Sequence, residues 1–339
     1  MKKTRVLALV HEHLVPPADT EGIDVVNAEW KMEFDVIVTL QELGHDIEVL
    51  GVHDDLTGIR RTIGQFKPQI VFNLMEAFAG VTTFDQNVVS YLELLRTPYT
   101  GCNPRGLILA RDKALSKKLL AYHRIPVPEF FVVRRGQQLV ASRRVRFPLI
   151  VKSLFFEASV GISQASVVEN EEQLARRVQF IHESLGTAAI VEEFIDGREL
   201  YVGVLGNERL QVFPVWEMSF ASMPDNRWRI ATERVKWSAK YQKKYGVMTD
   251  RAKLATGAAE QILRIAKRTY RALDLSGYAR IDLRLDEEGR VYVLEANPNP
   301  NLAYGEDFAE SGEVAGISYE RLLERIVTLG LHWEPERTG

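Results

Sequence analysis

The chain has 339 residues, too many for one ordinary hydrophobic core, so we expect two or three lobes. Hydrophobic residues make up 46% of the sequence and charged residues 26%, proportions typical of a soluble globular protein. The net charge of −3 gives no general attraction to nucleic acids or anionic membranes, which excludes a polybasic binding protein.

The single cysteine, Cys102, excludes an internal disulfide and fits a reducing cytoplasm. The first residues, MKKTRVLALVHEH, carry positive charge as a signal peptide does, but the apolar run Val6–Val10 is too short for one. We interpret this run as a first buried strand. No stretch approaches the ~18 apolar residues that a membrane-spanning helix needs, so a cytoplasmic protein without membrane insertion is expected.

Strand-like and helix-like segments alternate over the first hundred residues. The pattern predicts strands at Val6–Val10, Ile47–Leu50 and Gln69–Leu74, with one helix over Ala28–Leu43 and another ending near Phe66. Such alternation is typical of a parallel, doubly wound sheet. The sequence after the first strand, HEHLVPPADTEG, lacks the G-x-G-x-x-G pattern, so a dinucleotide site is not expected.

The character of the sequence changes after Gly101. The arginine-rich segment between positions 134 and 146 has no interleaved aromatic residues, so we interpret it as a solvated loop and expect no nucleic-acid partner. The elements predicted in this part are helices near Arg111–Tyr122, Arg251–Leu273 and Tyr319–Leu329, and strands at Phe130–Val133 and Pro148–Ser153.

Two lysines stand where they could hold phosphate oxygens. Lys152 ends an apolar strand and precedes a loop of small residues, in which Ser159 and Gly161 could bring backbone N–H groups close to an anion. The alternative is an ordinary hairpin turn. Lys113 falls in the first turn of a predicted helix, where the positive end of the helix dipole makes a lysine unfavourable. A phosphate partner would explain Lys113 better than an exposed position does.

Two glutamates flank a predicted turn between strands. Glu192 and Glu199 would let one carboxylate reach the amino group of a base while the other reaches sugar hydroxyls, because carboxylates only accept hydrogen bonds. A solvated acidic turn is the alternative interpretation.

The segment ARIDLRLDEEGRVYVLEANPNPN, residues 279–301, predicts an antiparallel hairpin with Asp286–Gly289 as its loop. In that register Leu285 lies opposite Arg290, and Arg280 lies opposite Glu295.

One face of this predicted hairpin then carries a cation, two carboxylates and an amide: Arg280, Asp282, Glu295 and Asn297. Such a face is costly without a ligand, and its oxygen donors suit Mg²⁺. A solvated face with a salt bridge between Arg280 and Glu295 is the alternative.

These segments, in this order, resemble the ATP-grasp superfamily, and specifically its D-alanine–D-alanine ligase branch. The resemblance covers roughly Gly101 to Leu329, about two-thirds of the chain. It implies an α/β protein that is α+β in its C-terminal lobe: an ATP-grasp fold behind an N-terminal doubly wound parallel-sheet domain. The implied units are a Rossmann-like domain at residues 1–103, a central lid subdomain at 104–187 and a C-terminal subdomain at 188–339.

By the same resemblance, ATP is the expected cofactor. The residues that would contact it are Lys113, Lys152 and Ser159 for the phosphates, Glu192 for adenine and Glu199 for ribose.

The hairpin face takes its roles from the resemblance as well. Asp282, Glu295 and Asn297 would hold Mg²⁺, with two ions expected and Mn²⁺ as a possible substitute. Arg280 would face the transferred phosphoryl group. The side-chain alternation of the predicted hairpin and the resemblance therefore indicate the same four residues.

Two mobile segments are implied: a phosphate lid over residues 157–163, and a loop at Val235–Tyr241 whose Lys240 would approach the γ-phosphate. Closing both would keep water from a reactive intermediate. The implied reaction is amide formation from a small-molecule carboxylate and amine. ATP converts the carboxylate to an acyl phosphate, releasing ADP, and the amine then displaces phosphate. The resemblance also allows a homodimer.

The substrate side departs from the family pattern. Glu76 stands near the position of the family's His-Gly motif, and Glu306 and Asp307 stand where a Ser-Leu pair would bind a carboxylate. Acidic groups repel a carboxylate and attract a cation. We therefore expect amino acids or amino-acid-like metabolites other than two D-alanines.

Two alternatives stay open. One is a genuine D-alanine–D-alanine ligase with a reshaped pocket. The other is a regulator that binds ATP without catalysis, although adenine binding alone does not require Arg280 or Lys240.

Overall fold

The computed structural model describes residues 3–139, 145–156 and 159–335. Its strands form three sheets of three, four and six strands. Among the described residues, no helix combines the length and the apolar character that crossing a membrane requires.

The first sheet is parallel, as predicted, with strand order β2-β1-β3. Its central strand has five consecutive buried residues, because a parallel sheet is covered on both faces. The elements of this part are β1 (Arg5–His11), α1 (Lys31–Glu42), β2 (Asp46–Val52), α2 (Thr57–Phe66), β3 (Ile70–Asn73), α3 (Asp85–Leu94), α4 (Pro104–Arg111) and α5 (Lys113–Tyr122).

The helix predicted near Arg111–Tyr122 is α5, and α4 ends immediately before it. The helices α4 and α5 are separated at Asp112, whose backbone is extended. The carboxylate of Asp112 accepts hydrogen bonds from the backbone N–H groups of Ala114 and Leu115, so it caps α5. This cap sets the direction of the helix that carries Lys113.

The second sheet is antiparallel, with strand order β4-β7-β5-β6. It has a hydrophobic core of its own, in which Val151 packs with Leu174 and Ile181 of the covering helix. The elements are β4 (Phe130–Val133), β5 (Leu149–Ser153), β6 (Val167–Val168), α6 (Glu171–Ser184) and β7 (Ala189–Glu193).

The third sheet is antiparallel, with strand order β11-β10-β8-β12-β13 and β9 paired to β8. The helix predicted to begin at Arg251 begins at Thr256, because Val247–Arg251 pairs with β10 instead. The elements are β8 (Arg198–Leu205), β9 (Gln211–Val212), β10 (Trp216–Phe220), α7 (Glu233–Trp237), α8 (Ala239–Tyr245), β11 (Val247–Arg251), α9 (Thr256–Ala272), β12 (Tyr278–Leu285), β13 (Val291–Pro298), α10 (Asp307–Val314) and α11 (Tyr319–Leu331).

The first and third sheets share a core, whereas the second sheet is packed separately. Leu7 and Leu9 of β1 belong to the same buried cluster as Ile281 and Val293 of the hairpin. The predicted division into three units stays a prediction; β7, which begins the predicted third unit, pairs within the second sheet.

Glu33, in the first turn of α1, is a buried carboxyl group with an exposure of 1%. Neither carboxylate oxygen has a hydrogen-bond partner among the residues that the structure describes. Burial, together with the nearby Glu76, raises the pKa of Glu33 from 4.5 to about 7. The folded protein therefore holds this proton more tightly than the unfolded chain between those two pH values.

The free energy of unfolding should therefore fall as the pH rises from about 4.5 through about 7, because ionising Glu33 favours the unfolded chain. The loss is on the order of 3 kcal/mol. Glu33→Gln should remove this part of the pH dependence in urea denaturation at pH 5 and pH 8. Glu42→Gln, an exposed position on the same helix, is the control. If the free energy of unfolding fell equally between pH 5 and pH 8 in Glu33→Gln and in the unsubstituted protein, the raised pKa of Glu33 would not be its cause.

Candidate active site

A cleft lined by residues of both sheets lies between the second and third sheets. It brings together seven of the residues predicted from the sequence, which are Lys113, Lys152, Ser159, Glu192, Glu199, Asp282 and Glu295.

The hairpin of β12 and β13 has a different register from the predicted one. Arg280 lies opposite Asn297 and Asp282 lies opposite Glu295, whereas the prediction placed Arg280 opposite Glu295. Leu285 lies opposite Val291 rather than opposite Arg290. The predicted loop is therefore one residue too short.

The longer loop accounts for one residue of the shift, and a β-bulge adds the second residue at Asp282 and Arg280. The pairing shifts by one residue between Asp282 and Leu283, which leaves Leu294 as the extra residue of β13. The bulge turns Val293 into the core and keeps Glu295 on the face of Asp282. The adjacent apolar residues Val293 and Leu294 break the alternation, and this signal could have revealed the bulge.

Arg280 and Asp282 form a bidentate ion pair. Nε of Arg280 donates to Oδ1 of Asp282 at 2.8 Å, and a terminal nitrogen donates to Oδ2 at 2.9 Å. The guanidinium lies over the ring of Tyr201, 4.6 Å from its centre. The alternative interpretation, a solvated salt bridge between Arg280 and Glu295, is therefore wrong, because Arg280 pairs with Asp282.

The two carboxylates of the hairpin differ in their surroundings. Burial and the neighbouring Glu295 raise the pKa of Asp282, although Arg280 opposes this shift. Burial also favours the neutral form of Glu295, but lysines outweigh it and lower the pKa of Glu295 to about 2. The nearest, Lys113, places Nζ 3.6 Å from Oε2 of Glu295 and donates to the carbonyl of Phe156 at 2.7 Å.

Glu192 is fully buried and faces two lysines. Oε2 lies 3.1 Å from Nζ of Lys152, and Oε1 lies 3.4 Å from Nζ of Lys117. Burial favours the neutral acid, but the two lysines prevail and lower the pKa of Glu192. Lys117 was not predicted, although it follows Lys113 by four residues and therefore lies on the same helix face.

Glu199 lies directly opposite Arg284 on the neighbouring strand. Arg284 donates to Oε2 of Glu199 at 2.7 Å, and the hydroxyl of Tyr201 donates to Oε1 at 3.0 Å. Sequence reasoning missed Arg284, which lines the cleft. Its spacing of two residues from Asp282 on β12 was the available signal.

The predicted phosphate lid contacts residues just before the second predicted mobile loop. The hydroxyl of Ser159 donates to the carbonyl of Ala231 at 2.7 Å, and N–H of Gly161 donates to Glu233 at 3.2 Å. Residues 157 and 158 of the predicted lid lie outside the described residues.

Lys236 lines the cleft, whereas Lys240 is exposed on α8 and does not line it. The predicted contact of Lys240 with the γ-phosphate therefore requires α8 to move. Lys236 belongs to the same predicted loop, and in the structure it lines the cleft together with Asp282 and Glu295, where its charge acts to lower the pKa of both carboxyl groups.

The three predicted substrate residues lie outside the cleft lining. Oδ2 of Asp307 is 3.9 Å from Arg280, so Asp307 borders the guanidinium, and Glu306 precedes it in the chain. Burial and the adjacent Asp307 raise the pKa of Glu306. Glu76 follows β3, and desolvation by the surrounding protein raises the pKa of its carboxyl group. Part of its side chain is nevertheless exposed to solvent.

The hairpin face has the composition of an incomplete metal site. Asp282 and Glu295 are carboxylates paired directly across the hairpin, and Asn297 lies opposite Arg280 on the same face. Among the residues that the structure describes, no group of three or more His, Cys, Asp or Glu side chains is arranged to hold a metal ion. Two carboxylates and an amide oxygen suit Mg²⁺, because this ion takes its other ligands from phosphates and water.

Comparison with known proteins agrees with this geometry. The family described as D-ala D-ala ligase C-terminus matches residues 119–328. An uncharacterized protein, y4sG, of Sinorhizobium fredii is 34% identical over 300 residues, which cover 86% of this chain and 85% of that protein. The D-alanine–D-alanine ligase of Desulfotalea psychrophila is 31% identical over 263 residues, covering 77% of this chain and 78% of the ligase.

A solved structure shares the fold. The D-alanine–D-alanine ligase of Bacillus anthracis, crystallised with ATP, superposes with a TM-score of 0.75 at 19% sequence identity, and the match covers 97% of each chain. The predicted ATP-grasp fold is therefore confirmed. The chain belongs to the D-alanine–D-alanine ligase family of ATP-grasp proteins, whose members are ATP-dependent carbon–nitrogen ligases that use Mg²⁺.

Proposed function

We propose that this protein is an ATP-dependent carboxylate–amine ligase of the cytoplasm that forms an amide through an acyl phosphate. The observation that carries the proposal is the paired carboxylates of Asp282 and Glu295, which lie beside Arg280 in a cleft that Lys113 and Lys152 also line. The two carboxylates would bind a metal ion, and the surrounding basic side chains would bind the phosphates attached to it.

The nucleotide would take the cleft. Lys113 and Lys152 would bind its phosphates, exchanging their present carboxylate partners for phosphate oxygens. Glu192 would accept a hydrogen bond from the adenine amino group, and Glu199 would accept from the ribose hydroxyls. Ser159 would approach the phosphates from the loop above.

The metal site would be completed by the nucleotide. Asp282, Glu295 and Asn297 would hold Mg²⁺, in two positions, and Mn²⁺ would be an acceptable replacement. When bound, the metal neutralises phosphate charge.

The remaining chemistry falls to residues of the chain. In phosphoryl transfer the protein mainly positions charge, and Arg280 is fixed for this role by its two hydrogen bonds to Asp282. As the acid substrate attacks the γ-phosphate, Arg280 would stabilise the charge on the transferred group, and later the charge on the tetrahedral intermediate. Closure of the segments around Ser159 and Lys236 would exclude water from the acyl phosphate.

The amine would approach the acidic side of Arg280. Asp307 borders the guanidinium, and lost solvation together with the charge of Asp307 raises the pKa of the adjacent Glu306. A cationic group would relieve that repulsion, so we infer an amino acid or amino-acid-like amine. Two D-alanines form the alternative pair, which the names of the relatives favour.

ADP release with Mg²⁺-ATP across a panel of amino acids, dipeptides and amines tests the function, with Asp282→Asn as the blank. Release that requires one acid and one amine would establish the ligase and name its substrates. Release with D-alanine alone would establish the alternative. ATP binding without release by any member of the panel would reduce the protein to a nucleotide-binding regulator and contradict the proposal.

Neutralising the acidic residues should separate amine recognition from ATP recognition. Glu76→Gln and the pair Glu306→Gln with Asp307→Asn should each raise the KM for the amine about tenfold or more, because each removes charge that attracts a cation. The KM for ATP should stay unchanged. Glu310→Gln, on the same helix as Asp307, is the control. A change in the KM for ATP would show that these residues border the nucleotide instead.

A further inference from the structure

Lys117 is a fully buried lysine for which the proposed reaction has no direct use. It lies on α5, one turn after Lys113, and its exposure is 0%. It does not line the cleft, so a nucleotide bound there would not contact it.

The ammonium group of Lys117 joins three elements. It donates to the carbonyl of Leu294 at 2.6 Å, and it lies 3.4 Å from Oε1 of Glu192 on β7. Leu294 is the bulged residue that precedes Glu295. Lys117 therefore contacts one predicted nucleotide residue and the backbone next to a predicted metal ligand.

Because Lys117 and Glu192 are both buried, the charge of each strongly affects the pKa of the other. Desolvation lowers the pKa of Lys117, and the charge of Glu192 opposes that shift. Removing one partner of a buried ion pair leaves the other charge uncompensated, which costs more than the pair contributes.

The second lysine on Glu192 has another task in the proposed reaction. Nζ of Lys152 lies 3.1 Å from Oε2 of Glu192, and Lys152 also lines the cleft. Phosphates in the cleft would compete for its charge. Lys117 has no such competitor, because it does not line the cleft. Its ammonium donates to the carbonyl of Leu294 and forms an ion pair with Glu192.

We propose that Lys117 is a positioning residue, which holds Glu192 ionised and oriented toward the nucleobase while Lys152 turns to the phosphates. This inference rests on the proposed nucleotide site. It adds that base recognition depends on a lysine outside the cleft. An ionised Glu192 accepts from the amino group of adenine and repels the carbonyl that guanine carries at the equivalent position.

Lys117→Met should weaken Mg²⁺-ATP binding about tenfold to a hundredfold, the range seen when partners of ligating residues are removed at metal sites. The preference for ATP over GTP should fall as well. The KM for ATP should rise more than kcat falls. Isothermal titration calorimetry with both nucleotides measures the affinities without turnover. Lys118→Met, at an exposed position next along α5, is the control and should match the unsubstituted protein.

A double-mutant cycle with Glu192→Gln shows whether Lys117 acts through Glu192. Adding Lys117→Met to Glu192→Gln should change ATP affinity less than twofold, because no carboxylate is left to position. The double variant also removes the buried charge that Lys117 faces, so a change of more than twofold in it would overturn the inference even where Lys117→Met alone does not fold.

The outcomes separate this inference from the proposed function. Equal ATP affinity in Lys117→Met and the unsubstituted protein would overturn the inference alone. An equal loss from Lys117→Met with and without Glu192→Gln would also overturn it. An unsubstituted protein that does not bind Mg²⁺-ATP would overturn the proposed function together with the inference.

Discussion

Glu295→Gln is expected to lower the rate of ADP release by on the order of 10²–10³, while the protein stays folded. Glutamine keeps the shape of the side chain but removes the charge that faces Asp282 across the hairpin. Lys113, which now lies 3.6 Å from Glu295, would lose an ionic partner as well. Single-turnover measurement with saturating Mg²⁺-ATP and the acid and amine identified by the panel gives the rate.

Glu287→Gln is the matched control, since Glu287 lies in the exposed loop of the same hairpin. It should release ADP at the unsubstituted rate. Full activity in Glu295→Gln would show that the paired carboxylates do not hold the metal. If both variants released ADP more slowly, the cause would be a general sensitivity of the hairpin to substitution and not the charge of Glu295.

Asp85→Asn should lower the free energy of unfolding by about 3–5 kcal/mol at neutral pH. Asp85, in the first turn of α3, forms a buried ion pair with Arg111 at the end of α4, and the two side chains are 2% and 9% exposed. Asparagine would remove the charged group that accepts two hydrogen bonds from the buried Arg111 guanidinium. Urea denaturation at pH 7 measures the loss.

The same helix supplies the control. Arg105, at the start of α4, pairs with Asp274 at 3.1 Å, but these side chains are 66% and 53% exposed. Asp274→Asn should cost less than about 1 kcal/mol, because exposed ion pairs contribute little. Asparagine also tolerates the positive φ of 52° at this position. Equal losses in the two variants would contradict the view that burial determines the strength of these pairs.

Local patterns determined most of the architecture. Alternating strands and helices predicted the parallel sheet of the first hundred residues, because burial on both faces produces continuous apolar runs such as Val6–Val10. The ordered motifs from Lys113 to Asn297 predicted the family. The side-chain period of two placed Arg280, Asp282, Glu295 and Asn297 on one face although the register was wrong, since that face depends on parity within each strand.

The tertiary structure alone decided how the charges are paired. The bulge at Leu294 depends on contacts across the sheet. Because of it, the residue opposite Glu295 is Asp282 and not Arg280. Lys117 and Arg284 look like ordinary surface charges in the sequence, yet folding buries them against Glu192 and Glu199, which are 75 and 85 residues away. Local propensity cannot encode such pairs, because burial of a charge depends on which distant groups the whole fold brings beside it.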